Sequence, residues 1–284
     1  MFLRLVKHPE VSLAALLPNL LTTLALSCGL ASIHFSIRAS VLMAKGAPMA
    51  DAELLWQRAL GAILLSAVFD ALDGRAARLL HVTSRFGTVL DSLSDFVAFG
   101  VAPAIILHQW TLAEFINRTG PGARLYMLVG LLPVMVFAVC SGMRLARFTA
   151  AAFAPKPSTT PSNYFVGMPT PAAAGAVMVP AMLDVSELAN FTVPGWLVAG
   201  YTLVVAFLMI SRVPMFALKR LRVSRPLVAP LLVLVVIFVV LFIIDPWLTL
   251  AIIAMGYLLT LPFAVFRRRR SPEEAQATAA LETL

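Results

Sequence analysis

Residues 70–95 read DALDGRAARLLHVTSRFGTVLDSLSD, four aspartates set between the apolar runs LGAILLSAVF (60–69) and FVAFGVAPAIILHQW (96–110). An ionised side chain at mid-span costs about 2.5–3.5 kcal/mol on insertion scales, so four uncompensated acids cost roughly 10–14 kcal/mol. Something in the folded protein must offset that. The polar segment Arg78–Arg85 between the runs reads as the turn of a helical hairpin. Asp70 and Asp73 are three residues apart, and Asp91 and Asp95 four, so each pair shares one helical face. Folding the hairpin about residues 81–82 sets Asp73 opposite position 90 and Asp70 opposite position 93. At a rise of about 1.5 Å per residue, all four carboxylates then lie at one level, roughly 9–17 Å from the turn.

Composition outside the hairpin places it in a membrane. The 284 residues are 60% hydrophobic and 13% charged, with a mean hydropathy of +0.91, too little charge for the surface of a soluble domain this long. The expectation is an all-α polytopic membrane protein. Its eight spans fall near 16–37, 57–79, 87–110, 125–146, 172–190, 195–212, 227–244 and 247–266. With both termini in the cytoplasm, 17 of the 22 Lys and Arg residues fall on the cytoplasmic side, the positive-inside pattern. The net charge of +8 therefore reports topology and contact with anionic lipid, and argues against nucleic-acid binding.

The chain divides into a cytoplasmic interfacial segment (1–15), a membrane core of six helices (16–225), two further membrane helices (226–266) and a basic anchor with a polar tail (267–284). MFLRLVKHPE lacks a convincing cleavage site downstream and reads as an interfacial segment rather than a signal peptide. The stretch 147–171, with five prolines, is too polar for a lipid-exposed span and belongs on the cytoplasmic face or over a cavity. Cys28 and Cys140 fall inside spans and read as packing residues. His8, His34, His81 and His108 read as incidental.

Four carboxylates at one point repel one another unless cations lie between them. Oxygen-only ligands select hard cations, Mg²⁺, Mn²⁺ or Ca²⁺, and four acids suit a pair of ions about 3.5–4 Å apart, the arrangement that clamps phosphoryl transfer. The neighbours suit a phosphate ligand. Gly74, Ala77 and Gly87 allow close approach, and Arg78 offers a planar fork to phosphate oxygens.

Written as D70-x2-D73-G74-x2-A77-R78-x8-G87-x3-D91-x3-D95, the stretch resembles the signature of the CDP-alcohol phosphatidyltransferase family at every fixed position. The resemblance implies a helical membrane enzyme, a homodimer, with two divalent metals at the cytoplasmic face of a bacterial inner membrane. It implies that an alcohol attacks a CDP-linked lipid and CMP departs. Asp70, Asp73, Asp91 and Asp95 correspond to the metal-binding acids and Asp95 also to the general base, while Gly74 and Arg78 correspond to residues touching the nucleotide diphosphate.

Three further stretches resemble the bacterial branch that uses L-serine: LPNLLTTLALSCGLASI at 17–33, SGMRLARFTA at 141–150 and YFVGMPTPAAAG at 164–175. Asn19 and Thr22 of the first are candidates for the nucleotide site. Ser141, Arg144 and Arg147 of the second end a span, with Ser141 and Arg144 on one face. Arg144 is suited to a serine carboxylate, although both arginines also fit the roles of positive-inside anchors or lipid-phosphate contacts. The expected reaction joins CDP-diacylglycerol and L-serine. Its rivals are the same chemistry on glycerol 3-phosphate, inositol or its phosphate, or choline, and a cation-coupled transporter. The transporter predicts acids spread over several spans and depths, whereas these concentrate in one hairpin.

Overall fold

A computed structural model of the chain describes residues 13–82, 84–110, 122–153, 164–189, 191–211, 214–216 and 228–268. The expected interfacial segment lies largely outside these residues, as do His8, most of the proline-rich connection and the polar tail. Among the described residues, four helices are long and apolar enough to cross a membrane: α1 (Leu13–Ala44), α2 (Met49–Leu79), α3 (Arg85–Trp110) and α4 (Ala123–Phe153). Shorter helices follow: α5 (Thr170–Val177), α6 (Val179–Val185), α7 (Gly195–Ile210), α8 (Val228–Ile244) and α9 (Pro246–Arg268). The chain is a helical membrane protein, and its helices lie over the apolar runs that sequence picks out.

Two features depart from the expected arrangement. The run 172–190, read as one span, is broken at Met178 into α5 and α6. Pro180 explains the break, because it has no N–H to donate to the carbonyl of Ala176. That carbonyl instead accepts the hydroxyl of Tyr201 on α7 at 2.8 Å. The second departure is a short antiparallel ladder in a chain read as all-α. Strand β1 (Tyr164–Val166) pairs with β2 (Pro214–Phe216), Phe165 opposite Met215. The ladder joins two stretches about 50 positions apart, YFVGMPTPAAAG and SRVPMFALKRLR.

Small residues let the helices approach closely, as membrane helix contacts require. Ala39, Ala59, Ala98, Ala102, Ala173, Ala174 and Ala206 are fully buried among Leu60, Phe99, Ile106, Leu107 and Phe137. The long α1–α2 contact is pinned by two buried serines: Ser32 donates to the Ala59 carbonyl and Ser66 to the Ala25 carbonyl, each at 2.8 Å. α1 also packs along α3, α4 packs on α7, and α9 packs on α5, α6 and β2.

Within α3 the hydrogen-bond register widens to a π-helix over Phe96–Val101, directly after Asp95. Such insertions in α-helices recur at functional sites. At the far end of α3, Trp110 Nε1 donates to Asp184 at 2.8 Å. Asp245, between α8 and α9, accepts from the Ser186 hydroxyl at 2.6 Å and from the backbone N–H groups of Leu188 and Leu248. These contacts tie the two last helices to the bundle at the end away from the acidic hairpin. The face-wide exposure of α8 residues Leu231–Ile244, all apolar, suits lipid. Cys28 and Cys140 are both free thiols.

Candidate active site

The acidic hairpin folds as a turn between α2 and α3. α2 ends at Leu79, His81 takes a left-handed φ of 53°, and Ser84 caps α3 by accepting the N–H of Gly87 at 2.9 Å. Asp70 from α2 meets Asp91 and Asp95 from α3, each offering one carboxylate oxygen, all within 4.8 Å of one another. Asp70 and Asp95 approach within hydrogen-bonding reach. Two carboxylates so close require a shared proton or a cation between them. Oxygens on opposite sides of a bound Mg²⁺ or Ca²⁺ lie about 4–5 Å apart, twice the metal–oxygen bond length. The donor set and its spacing therefore fit a hard divalent cation.

Asp73 stands beside this triad rather than in it. The residue is 5% exposed, and its carboxylate accepts the hydroxyl of Thr22 on α1 at 2.6 Å. Thr22, itself buried, is thus a hydrogen-bond donor to an acid. Ser94 on α3 reaches back to the Thr22 carbonyl at 3.2 Å, so α1 holds both arms of the hairpin.

A cavity of about 430 Å³ opens beside the acids, between the start of α1 and the hairpin turn. Its lining includes Asn19, Thr22, Asp73, Gly74, Ala77, Gly87 and Asp91, so the structure brings together most of the residues selected from sequence for a nucleotide diphosphate. Gly87 lies close against two side chains of the cavity wall. A Cβ there would lie 3.0 Å from Asn19 Oδ1 and 3.1 Å from Ser84 Oγ. Arg78 is exposed and outside the lining, although its guanidinium lies 3.6 Å from where a Gly74 Cβ would stand.

The SGMRLARFTA stretch forms the last turns of α4. Arg144 is half-buried, within electrostatic reach of Asp95, and donates from Nη1 to Thr170 Oγ1 at the start of α5 at 2.5 Å. Among the described residues its Nε is buried without a partner, and so is the hydroxyl of Ser141. Arg147 turns away, donating to the Ile210 carbonyl at the end of α7 at 3.2 Å. That is a C-terminal cap contact. The two arginines have different surroundings, and only Arg144 addresses the acids.

The sequence matches the family model described as CDP-alcohol phosphatidyltransferase over residues 15–208. The chain belongs to the CDP-alcohol phosphatidyltransferase family. A second model, CDP-alcohol phosphatidyltransferase 2, matches residues 226–262, the segment that forms most of α8 and α9. Among curated relatives, a CDP-diacylglycerol–serine O-phosphatidyltransferase of Mycobacterium leprae is 32% identical over 89% of this chain and 76% of its own length. Proteins of the same name are 30% identical in Mycobacterium tuberculosis, over 89% of this chain and 79% of theirs, and in Helicobacter pylori strain J99, over 86% and 88%.

In this phosphatidyltransferase, several site-lining residues escaped the reading of the sequence. Ser84 and Thr88 line the cavity, and His81, read as incidental, lines it too. Ser84 carried a signal, since a Ser three residues before Gly87 at a helix start is a cap. Thr170 belongs to the YFVGMPTPAAAG stretch singled out by resemblance, but its bond to Arg144 has no signal in the sequence. The π-turn after Asp95 is also silent in composition.

Proposed function

We propose that the protein transfers the phosphatidyl group of CDP-diacylglycerol to L-serine, yielding phosphatidylserine and CMP. One observation carries the reading: a triad of carboxylates, Asp70, Asp91 and Asp95, converges beside a nucleotide-sized cavity with Arg144 in electrostatic reach of Asp95. The names of the curated relatives support serine as the acceptor. The bundle is read as eight spans with cytoplasmic termini, the hairpin turn facing the cytoplasm of a bacterial inner membrane, and the working unit as a homodimer. The six-helix core over 16–225 carries the chemistry.

The serine hydroxyl oxygen attacks the phosphorus that bears the diacylglycerol. A phosphorus–oxygen bond forms to serine, the bond to CMP breaks, and the hydroxyl proton passes to Asp95 as general base. Asp70, Asp73, Asp91 and Asp95 would hold two divalent cations, Mg²⁺ or Mn²⁺, with Ca²⁺ also satisfying the ligand set. Bound there, the cations supply neutralisation of the pyrophosphate charge. Thr22 orients Asp73. Asn19, Gly74, Ala77, Arg78 and Gly87 receive the nucleotide diphosphate. Arg144 receives the serine carboxylate, with Ser141 beneath it on the same helical face. The acyl chains stay in the bilayer throughout, which accounts for a polar site built into membrane helices.

A phosphorylated acceptor would call for a basic cluster; Arg147 lies within electrostatic reach of Arg144 and donates to the Ile210 carbonyl, so serine rests on the names of the curated relatives rather than on the two arginines. The test supplies purified protein with CDP-diacylglycerol, Mn²⁺ or Mg²⁺, and labelled serine, glycerol 3-phosphate, inositol or choline in turn. Labelled lipid and CMP are expected with serine alone, and EDTA should abolish both. Asp95→Asn should lower turnover by about 10²–10⁴-fold, the range general-base catalysis supplies. Product with glycerol 3-phosphate but not serine would overturn the acceptor, and ion transport without CMP release would overturn the enzyme.

A further inference from the structure

The two last helices have no part in the chemistry described so far, yet α9 reaches the acceptor side of the site. It packs on α5, whose first residue is the Thr170 that holds Arg144, and on β2. Tyr257 of α9 packs, half-buried, against the core and lies close enough to Arg144 for the two to interact electrostatically. Arg144 thus lies within electrostatic reach of Asp95, Tyr257 and Arg147.

Among the described residues Arg144 has no carboxylate ion-paired to it, and its Nε is buried without a partner. A half-buried guanidinium left in that state has unmet capacity for an anion, since desolvation without pairing is costly. Tyr257 has no hydrogen-bond partner for its hydroxyl among the described residues either. A carboxylate accepts several hydrogen bonds. It can take the planar fork of Arg144 on one side and a phenol O–H on the other, with the Tyr ring screening the pair from lipid.

We propose that α9 completes the acceptor site, with Tyr257 donating its hydroxyl to the carboxylate of the incoming amino acid alongside Arg144. The inference rests on serine transfer as the reaction. It makes the C-terminal helix pair a determinant of acceptor choice.

The test compares steady-state kinetics of the full-length wild-type protein and Tyr257→Phe, varying L-serine and CDP-diacylglycerol separately. Tyr257→Phe keeps the ring and its packing and removes the hydroxyl alone. Loss of one hydrogen bond to a charged group should raise the KM for serine roughly tenfold or more. The KM for CDP-diacylglycerol and the Mn²⁺ concentration for half-maximal activity should stay within about twofold, a split that general loosening of the bundle would not produce. Calorimetric titration with CDP and Mn²⁺ checks that the nucleotide site of the variant is intact. An unchanged serine KM, or both KM values rising together, overturns the role of Tyr257 while leaving serine transfer standing. Absence of serine product from the wild-type protein would bring down both.

Discussion

Thr22 on α1 donates its hydroxyl to the carboxylate of Asp73 on α2 at 2.6 Å, and both side chains are buried. The contact joins two helices and fixes the direction in which one acid of the hairpin presents its free oxygen. Thr22→Val preserves shape and removes the donor. Residues that orient metal ligands typically contribute 10–100-fold to affinity or activity, so the Mn²⁺ requirement should rise by about that factor. Thr22→Ser should recover most of the loss. A metal titration of activity reads both variants, and an unchanged Mn²⁺ requirement in Thr22→Val would remove Thr22 from this role.

Gly87→Ala tests the cavity from the other side. The added methyl would meet Asn19 Oδ1 at 3.0 Å and Ser84 Oγ at 3.1 Å, on the wall where the nucleotide is placed. The expected outcome is weaker CDP binding, on the order of tenfold for about 1.4 kcal/mol of steric cost. Serine KM should not move. Titration of the purified variant with CDP measures the first, and steady-state kinetics the second.

Gly167 is constrained differently. It has φ of 80°, and a Cβ there would lie 2.7 Å from the Met209 carbonyl oxygen and 3.0 Å from that of Ser211. Gly167→Ala therefore combines a left-handed backbone with a clash against main chain that cannot swing aside. Backbone strain of this kind costs on the order of 1–3 kcal/mol before the clash is counted. Thermal unfolding in detergent should show a lower midpoint than wild type.

Asp245 predicts a pH dependence away from the acidic hairpin. Burial alone would push its carboxyl up, but the Leu248 N–H, the Ser186 hydroxyl and the N–H groups of Leu188 and Trp247 more than offset this and hold it below the ordinary carboxylate range. A carboxyl depressed in the folded state stabilises above its unfolded pKa of about 3.9 and loses that contribution as pH falls through the lower folded value. The stability difference between wild type and Asp245→Asn should be level from pH 7 to about 5 and shrink below about 4. A difference that instead changed steadily between pH 5 and 7 would contradict the assignment.

How far the sequence could be read depends on the kind of signal. The acidic hairpin was legible because charge in apolar sequence is costly and the spacings Asp70/Asp73 and Asp91/Asp95 each define a helical face. The idealised fold-back placed all four acids at one level. In the structure Asp70, Asp91 and Asp95 share ligand distance, while Asp73 is drawn to Thr22, a neighbour that hairpin geometry does not contain. The break in 172–190 was available from Pro180 and was hidden by the continuous hydropathy of the segment. The β1–β2 ladder had no signal, since each strand has three residues and its partner is remote in sequence. Tyr257 was silent for another reason: a tyrosine in an apolar helix reads as an interfacial residue unless its partner is known.

The π-turn at Phe96–Val101 has a consequence for the whole of α3. One extra residue in a turn shifts everything beyond it by about 100° around the helix axis. The half before the turn faces its acids inward, and the half after it independently buries Ala102, Ile106 and Leu107. A single helical wheel drawn from 85 to 110 would have to misorient one half. Shortening the turn by one residue would set catalysis and packing in competition for the same face.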